Sequence, residues 1–509
     1  MANCKYLNNQ HHNYCYQQKY LSMMFTDITP IEIEVVMEQA ALAAATFKKT
    51  SVTQRANLLR EIAKTIKACG DVLLELASTE TNLPVERLRI ERDRTVFQLE
   101  SYADYCASGQ ALHVRIDKLE GKKDIRKTMV PLGPVVVFGA SNFPFAYSTA
   151  GGDTACALAA GCNVIVKAHP AHAQTSQMVA EAISLAVANL ALPKAIFTHV
   201  HGADNAIGEA LVKHPQTKAV AFTGSLAGGK QLFDWGVARD IPIPVFCEMG
   251  SVNPVFLLPE KIAESASTLA DLLGASMTES AGQFCTNPGI LVAIKNQQLD
   301  AFTTALGAYL KKALPAPMLT PGIYKSFVEK RATALSQPEV SLLAVSSTDA
   351  MFNEGSPTLA ITTANNFITN NLLQQEVFGP YCILVTCADL AEMQAVANQM
   401  AGQLTATVMG TEQELAHNAE LINVISNCCG RLIFNDVPTG VQVGLAMHHG
   451  GPYPATTDSR FTAVGADGIA RFLRPMAYQN CPEILLPAEL KNDNPLGIWR
   501  TVNNEPGKI

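Results

Sequence analysis

The sequence predicts an α/β protein built from two doubly wound lobes, with a β-ribbon element between parts of the first. Three observations predict it. Short apolar segments alternate with helical stretches from about residue 135 to residue 434, the pattern of parallel strands buried on both faces. The chain has 509 residues, more than one hydrophobic core serves, so at least two units are expected. Apolar residues make up 48% and no apolar run approaches the length of about 18 residues that a membrane span needs.

The elements follow in order. Residues 1–24 are rich in Asn, Gln, His and Tyr and lack the apolar core of a secretory signal, so a disordered tail is expected, with Met23 or Met24 as an alternative start. From Ile31 to about Gly109 the period is helical, and Leu58, Leu59, Ile62 and Ile66 fall on one stripe. Around Gly121, alternating Val114, Ile116 and Ile125 suggest a β-ribbon over 112–130. Strand 135–139, a small-residue helix 148–160, strand 163–166, a helix 174–189, and strands 196–200 and 219–222 then form the first lobe. The second lobe takes strands at 255–258, 290–294, 381–386, 405–408 and 432–434, and a loop-rich tail follows Asn435.

Composition excludes several classes. The net charge of −7, with Lys and Arg scattered, argues against nucleic acid or an anionic membrane as partner. Thirteen cysteines without a C-x-x-C pair indicate reduced thiols in a cytoplasmic compartment. The paired histidines His169/His172, His199/His201 and His448/His449 have no third ligand at a supporting spacing, so no metal site is expected.

The chemistry-bearing residues are scattered along the chain. Cys285 lies between a helix end and a Pro-Gly turn, where a side chain can face a cleft and a thiolate can act as nucleophile. Glu248 ends the apolar segment Pro244-Val-Phe-Cys247 and offers a general base. Asn142 precedes Phe143-Pro144, which holds the backbone extended, and offers an amide to an oxyanion. No G-x-G-x-x-G occurs; Phe222-Thr-Gly-Ser225 through Gly229 instead follows a strand and opens a helix that could hold a pyrophosphate, with Lys167 ending a neighbouring strand. Singly, each residue reads more readily as structural.

Together they resemble the aldehyde dehydrogenase superfamily. Ser141-Asn-Phe-Pro144, Lys167, Phe222-Thr-Gly-Ser225 with Gly229, Glu248-Met-Gly250, Gly282-Gln-Phe-Cys285 and Glu376-Val-Phe-Gly-Pro380 occur in that family's order. The resemblance implies an attack by Cys285 on an aldehyde, an oxyanion held by Asn142 and the Cys285 N–H, and hydrolysis of a thioester with Glu248 as base. It implies a cofactor site at Lys167, Pro170, Gly224, Ser225, Gly229, Glu376 and Phe378. It also implies a cofactor domain over 25–111 and 131–250, a catalytic domain over 251–440, and oligomerisation elements over 112–130 and 441–509 of a homodimer or homotetramer. Where the NAD-preferring pattern has an acid three residues after the lysine, this chain has Pro170, which admits NADP as well as NAD and leans to NADP. Ser148-Thr-Ala-Gly-Gly-Asp-Thr154, Pro438-Thr-Gly-Val441 and the segment His449 to Arg460 resemble the branch acting on 2,5-dioxovalerate (α-ketoglutarate semialdehyde), with long-chain fatty aldehyde dehydrogenases as the alternative. An acidic substrate needs a cationic partner, and Arg460 is the candidate.

Overall fold

The computed structural model describes residues 25–508; the expected tail over 1–24 lies outside the described residues. Helices Pro30–Phe47, Val52–Ala68, Gly70–Thr81 and Val85–Ser108 occupy the first helical stretch. Capping boxes start two of them, Thr29 with Glu32 and Ser51 with Gln54, which satisfies N–H groups that a helix start leaves open. The stripe Leu58, Leu59, Ile62 and Ile66 is buried. Gly109 ends the long helix at φ 74°, and a Cβ there would lie 2.5 Å from Ile498, so only glycine fits.

The first sheet has five parallel strands in the order Phe197–Val200, Val164–Lys167, Val135–Phe138, Ala219–Thr223 and Val245–Glu248. Alternate residues feed two cores: Val135, Val137, Val164 and Val166 pack on one face, Val136, Ile165 and Val220 on the other. That alternation is why the strands read as unbroken apolar runs and why helices cover both faces. The second sheet has seven strands in the order Ser341–Val345, Thr358–Thr363, Tyr381–Cys387, Ile290–Ile294, Val255–Leu257, Gln403–Met409 and Cys429–Phe434. It too is parallel, except that Ser341–Val345 runs against its neighbour, and it divides its side chains between two cores. Two doubly wound α/β lobes are therefore present.

A third sheet combines Leu473–Gln479, Ile125–Pro131, Arg115–Asp117, Arg500–Val502 and Glu505–Gly507. The ribbon around Gly121 is thus extended by the C-terminal segments. Inside it, the buried Arg126 donates to Asp124, the Leu490 carbonyl and Asn492, tying ribbon to tail.

Two expectations need correction. The helix expected over 148–160 begins at Gly152, because residues 148–151 form a turn in which the Gly151 N–H donates to the Ser148 carbonyl at 2.8 Å. A Cβ on Gly151 would meet the Ala146 carbonyl oxygen at 2.7 Å. The strands Ser341–Val345 and Thr358–Thr363 were not expected; the former is an edge strand with mixed burial and gives little periodic signal. Every cysteine among the described residues is a free thiol, and no helix there is long and apolar enough to cross a membrane.

Candidate functional site

Cys285 lies between helix Pro259–Thr278 and strand Ile290–Ile294. Ser280, Ala281 and Gly282 take positive φ (49°, 54° and 62°) and reverse the chain. A Cβ on Gly282 would sit 2.4 Å from the Gly379 carbonyl oxygen, so the loop closes against Gly379 only because no side chain intervenes. Asn253 pins the loop from below: its Nδ2 donates to the carbonyls of Cys285 and Asn287, each at 2.9 Å. Its Oδ1 accepts from Ser251 and Thr405 hydroxyls at 2.9 Å. This buried, satisfied network fixes where the thiol sits.

Glu248 ends the last strand of the first sheet and is buried at 3% exposure. The segment Ala455–Thr457 pairs with it: Met249 N–H donates to Ala455 O at 2.8 Å, and Cys247 N–H to Thr457 Oγ1 at 2.9 Å. That pairing carries in a residue sequence reasoning had passed over. His449 Nε2 stands 3.0 Å from Glu248 Oε1 and 3.6 Å from Cys285 Sγ. The ligand atoms of Glu248, Cys285 and His449 all lie within 4.8 Å of one another. Among the described residues this is the one His/Cys/Asp/Glu group so arranged, and a thiol, an imidazole and a carboxylate are donors that a zinc ion accepts. Sequence spacing weighed His448 and His449 only as metal ligands; the structure places His449 beside the thiol and the carboxylate. Its partners arrive from two other lobes, so no spacing could show them; the signal in the sequence was its place at the head of Gly450-Gly-Pro-Tyr-Pro454.

The electrostatics define the resting state. Burial pushes the Cys285 thiol well above its ordinary range, Glu248 pushes it further by charge and by accepting its hydrogen bond, and Glu376 adds to this, while Arg431 pulls the other way. The resting sulfur is therefore a protonated thiol, and a base must take the proton as sulfur attacks. With its proton on Nδ1, His449 offers Nε2 as an acceptor for the thiol hydrogen at 3.6 Å. His449→Ala is expected to lower kcat/KM by roughly 100-fold, measured as steady-state NAD(P)H formation; an unchanged value would remove the imidazole from the proton path.

Asn142 is buried, and its Nδ2 donates to the Gln283 carbonyl at 3.0 Å, two residues before Cys285. The amide carries two N–H bonds, so the second can serve an oxyanion at the thiol. Arg87 Nη2 holds the Asn142 carbonyl at 2.8 Å. Glu376 comes close because Gly250 has no side chain: a Cβ there would lie 2.5 Å from Glu376 Oε2. Burial pushes the Glu376 carboxyl up. Phe378 lines a small cavity with Gly282 and Phe284 beside the cysteine loop.

A cleft of about 520 Å³ opens at the carboxyl ends of the first sheet, lined by Gly139, Lys167, Pro170, Asp204, Gly228 and Trp235 among others. The strand order reverses at Val135–Phe138, and such a switch point is where doubly wound sheets bind dinucleotides. Ser225 caps helix Leu226–Val237, accepting from the Gly228 N–H at 3.2 Å, and the Gly224 N–H donates to the Glu248 carbonyl at 3.0 Å. Gly229 lets the helix pack against Met249, which a Cβ would meet at 2.6 Å. Lys167 is largely buried, which pulls its pKa down, and burial pulls His169 to about 3, so that ring is neutral. A buried cation beside a helix N-terminus fits a pyrophosphate-bearing cofactor.

Arg460 does not join the group. Its guanidinium is 79% exposed and donates through Nε and Nη2 to Asp458 at 2.8 and 2.6 Å. A local ion pair satisfies it at the surface, so the cationic partner expected there is not placed at the thiol.

Residues 14–465 match the aldehyde dehydrogenase family. The chain is 41% identical over 487 residues to an alpha-ketoglutaric semialdehyde dehydrogenase of Acinetobacter baylyi, covering 94% of this chain and 92% of that one. It is 43% identical to alpha-ketoglutaric semialdehyde dehydrogenase 2 of Azospirillum brasilense, covering 92% and 90%. Among solved structures, betaine aldehyde dehydrogenase of Staphylococcus aureus superposes with TM-score 0.78 at 18% identity, covering 91% of each chain. The glyceraldehyde-3-phosphate dehydrogenase of Methanocaldococcus jannaschii, solved with NADP, gives TM-score 0.78 at 18% identity, covering 90% and 96%. With this fold, and with Cys285, Glu248 and Asn142 converging from separate lobes, the chain belongs to the aldehyde dehydrogenase family.

Proposed function

We propose that the protein oxidises α-ketoglutarate semialdehyde (2,5-dioxopentanoate) to 2-oxoglutarate with NAD(P)+. The observation that carries the chemistry is the buried group of Cys285, Glu248 and His449; the identity of the aldehyde rests on the two relatives that share more than two fifths of the sequence across nearly the whole chain.

The geometry supports the following course. As Cys285 sulfur adds to the aldehyde carbon, the thiol proton passes to the Glu248–His449 pair, and the carbonyl oxygen becomes an alkoxide beside the Asn142 amide and the Cys285 N–H. Lys167 and the N-terminus of the Ser225 helix would hold a nicotinamide dinucleotide, which would supply the hydride acceptor when bound. The pair releases the thiol proton to solvent, and the thioester left on Cys285 is then hydrolysed: Glu248 takes a proton from water, the hydroxide adds, and the carbon–sulfur bond breaks, with that proton returning to sulfur to give the thiol and the free acid. Water that reaches Glu248 must enter a site otherwise closed by buried residues, which limits side reactions of the thioester.

The cofactor preference we propose leans to NADP. Pro170 lines the cleft where an acid would bind the ribose 2′-hydroxyl, and Lys167 stands nearby. Asp204, also in the cleft, already accepts from the Ala206 N–H at 2.8 Å as a helix cap. The ribbon sheet, which leaves Met476 and Trp499 exposed, is the surface on which we place contact between copies of a dimer or tetramer.

A panel of 2,5-dioxopentanoate and a long-chain aldehyde, each with NAD and NADP, tests both readings. The semialdehyde is expected to give the higher kcat/KM, with NADP used at least as well as NAD. Preference for the long-chain aldehyde would overturn the substrate; a strong NAD preference would overturn the cofactor assignment.

A further inference from the structure

Displacement of Arg460 leaves the anionic end of the proposed substrate without a partner, and the wall in front of Cys285 offers another. Three arginines border it. Arg87 lies 4.9 Å from the Phe143 ring centroid and 5.3 Å from that of Phe284, the residues following Asn142 and preceding Cys285. Arg94, seven residues further on the same helix and therefore on the same face, lies 5.4 Å from the Tyr147 ring. Tyr147 in turn is 5.1 Å from Phe143 and 6.1 Å from His449. Arg431, on strand Cys429–Phe434, is near enough for its charge to act on both Cys285 and Tyr147.

Each guanidinium is anchored at one end and open at the other. Arg87 Nη2 donates to Asn142 O; Arg94 Nε and Nη2 donate to Val441 O at 3.3 Å; Arg431 Nη2 donates to Pro438 O at 2.7 Å. Yet Arg87 Nη1, Arg94 Nη1 and Arg431 Nε are shielded from solvent and have no hydrogen-bond partner among the described residues. The nearby Glu91 accepts at Oε1 from the N–H groups of Phe145 and Ala146; its Oε2 makes no hydrogen bond to them, although its charge acts on Arg87 and Arg94. Burial pulls Arg87 and Arg431 below the ordinary arginine range, and the acids near them, Glu91 and Glu279 for Arg87 and Asp436 for Arg431, offset only part of this. Shielded, unpaired donors are rare and costly, because each has given up water without a replacement.

We propose that Arg94, packed on the Tyr147 ring, and Arg431, with its unpaired Nε, bind the 2-oxo-carboxylate end of the substrate, with Arg87 completing the positive wall at the Phe143–Phe284 side. This deepens the substrate reading above and rests on it. Arginine suits the task because its fork matches a carboxylate with two parallel N–H bonds. The wall also discriminates: an apolar aldehyde tail would cover charged N–H groups and satisfy none of them, whereas a carboxylate satisfies them.

The test compares 2,5-dioxopentanoate with pentanal, which has the same chain length and no charge, in the wild type and in Arg94→Met and Arg431→Met. Each variant is expected to raise the semialdehyde KM by on the order of 100-fold; kcat/KM for pentanal holds or rises in Arg94→Met and falls less than that for the semialdehyde in Arg431→Met, which also loses a charge that lowers the Cys285 pKa. A parallel loss on both aldehydes would show a structural role and overturn the proposal, as would retention of the wild-type preference for the semialdehyde. Wild type with no preference for the semialdehyde over pentanal would overturn the substrate reading together with the clamp, so the two failures are distinct. Arg94→Lys and Arg431→Lys guard against misfolding of the methionine variants: they keep the charge and lose the fork, and an intermediate preference is expected. In the wild type, 2-oxoglutarate should compete with pentanal and pentanoate should not; equal inhibition by the two would equally overturn the clamp.

Discussion

Cys285→Ala is expected to lower NAD(P)H formation by roughly 10⁵-fold, to the detection limit, because no other nucleophile stands in the group. The residues around it can still orient an aldehyde and a cofactor, but without sulfur addition there is no tetrahedral alkoxide whose oxygen electron pair expels the hydride as the carbonyl re-forms. The alanine should be well tolerated structurally, since the Cys285 loop is held by its backbone carbonyl, by Asn253, and by Gly282 against Gly379. Cofactor binding, read by quenching of protein fluorescence, should therefore survive while turnover is lost. Turnover that persisted unchanged would remove the covalent mechanism altogether.

Glu248→Gln is expected to separate two steps. Acylation should still release a burst of NAD(P)H comparable to the enzyme concentration, and the following steady state should fall by about 10²- to 10⁴-fold, the range for loss of a general base. Pre-steady-state absorbance checks this; a full steady-state rate with no burst would remove Glu248 as the hydrolytic base. The same variant makes an independent prediction about the thiol. Glu248 raises the Cys285 pKa by its charge and by accepting the thiol hydrogen bond, so neutralising it should bring the pKa down. Alkylation by iodoacetamide reads the thiolate. In the wild type its rate should keep climbing at pH values above those where an ordinary cysteine, near about 8.5, has levelled off. In Glu248→Gln the climb should begin at lower pH. An alkylation profile that shifted the opposite way would mean that His449, rather than Glu248, governs the thiol proton.

The two sheets were legible because their strands are buried on both faces and so appear as apolar runs; Val135–Phe138 and Ile290–Ile294 are of this kind. Ser341–Val345 was not legible, because an edge strand with one covered face carries no such run. The small-residue helix was placed four residues early, since Ser148-Thr-Ala-Gly151 has helix-compatible composition, and only the close approach of Ala146 O to Gly151 makes it a turn. Among the proposed site residues, Cys285, Glu248 and Asn142 could be picked out by residue type beside a turn or strand end. His449 and Asn253 could not: a buried His and an Asn before Pro read as ordinary structural residues until their partners are known.

By itself, the sequence determined the alternation of strand and helix, hence two parallel sheets, and it carried the ordered motifs that place the chain among aldehyde dehydrogenases. These are local or linear properties, governed by burial period and residue type. Only the tertiary structure decided which side chains meet. Glu248 and His449 are 3.0 Å apart because Ala455–Thr457 pairs beside a strand formed two hundred residues earlier. Arg460, next to Asp458, is neutralised locally, while Arg94 is packed on the Tyr147 ring with its Nη1 unpaired, and Arg431 keeps an unpaired Nε. Charge in a sequence says that a cation exists; whether it is spent on a neighbour or kept for a ligand depends on which atoms folding places within hydrogen-bond reach.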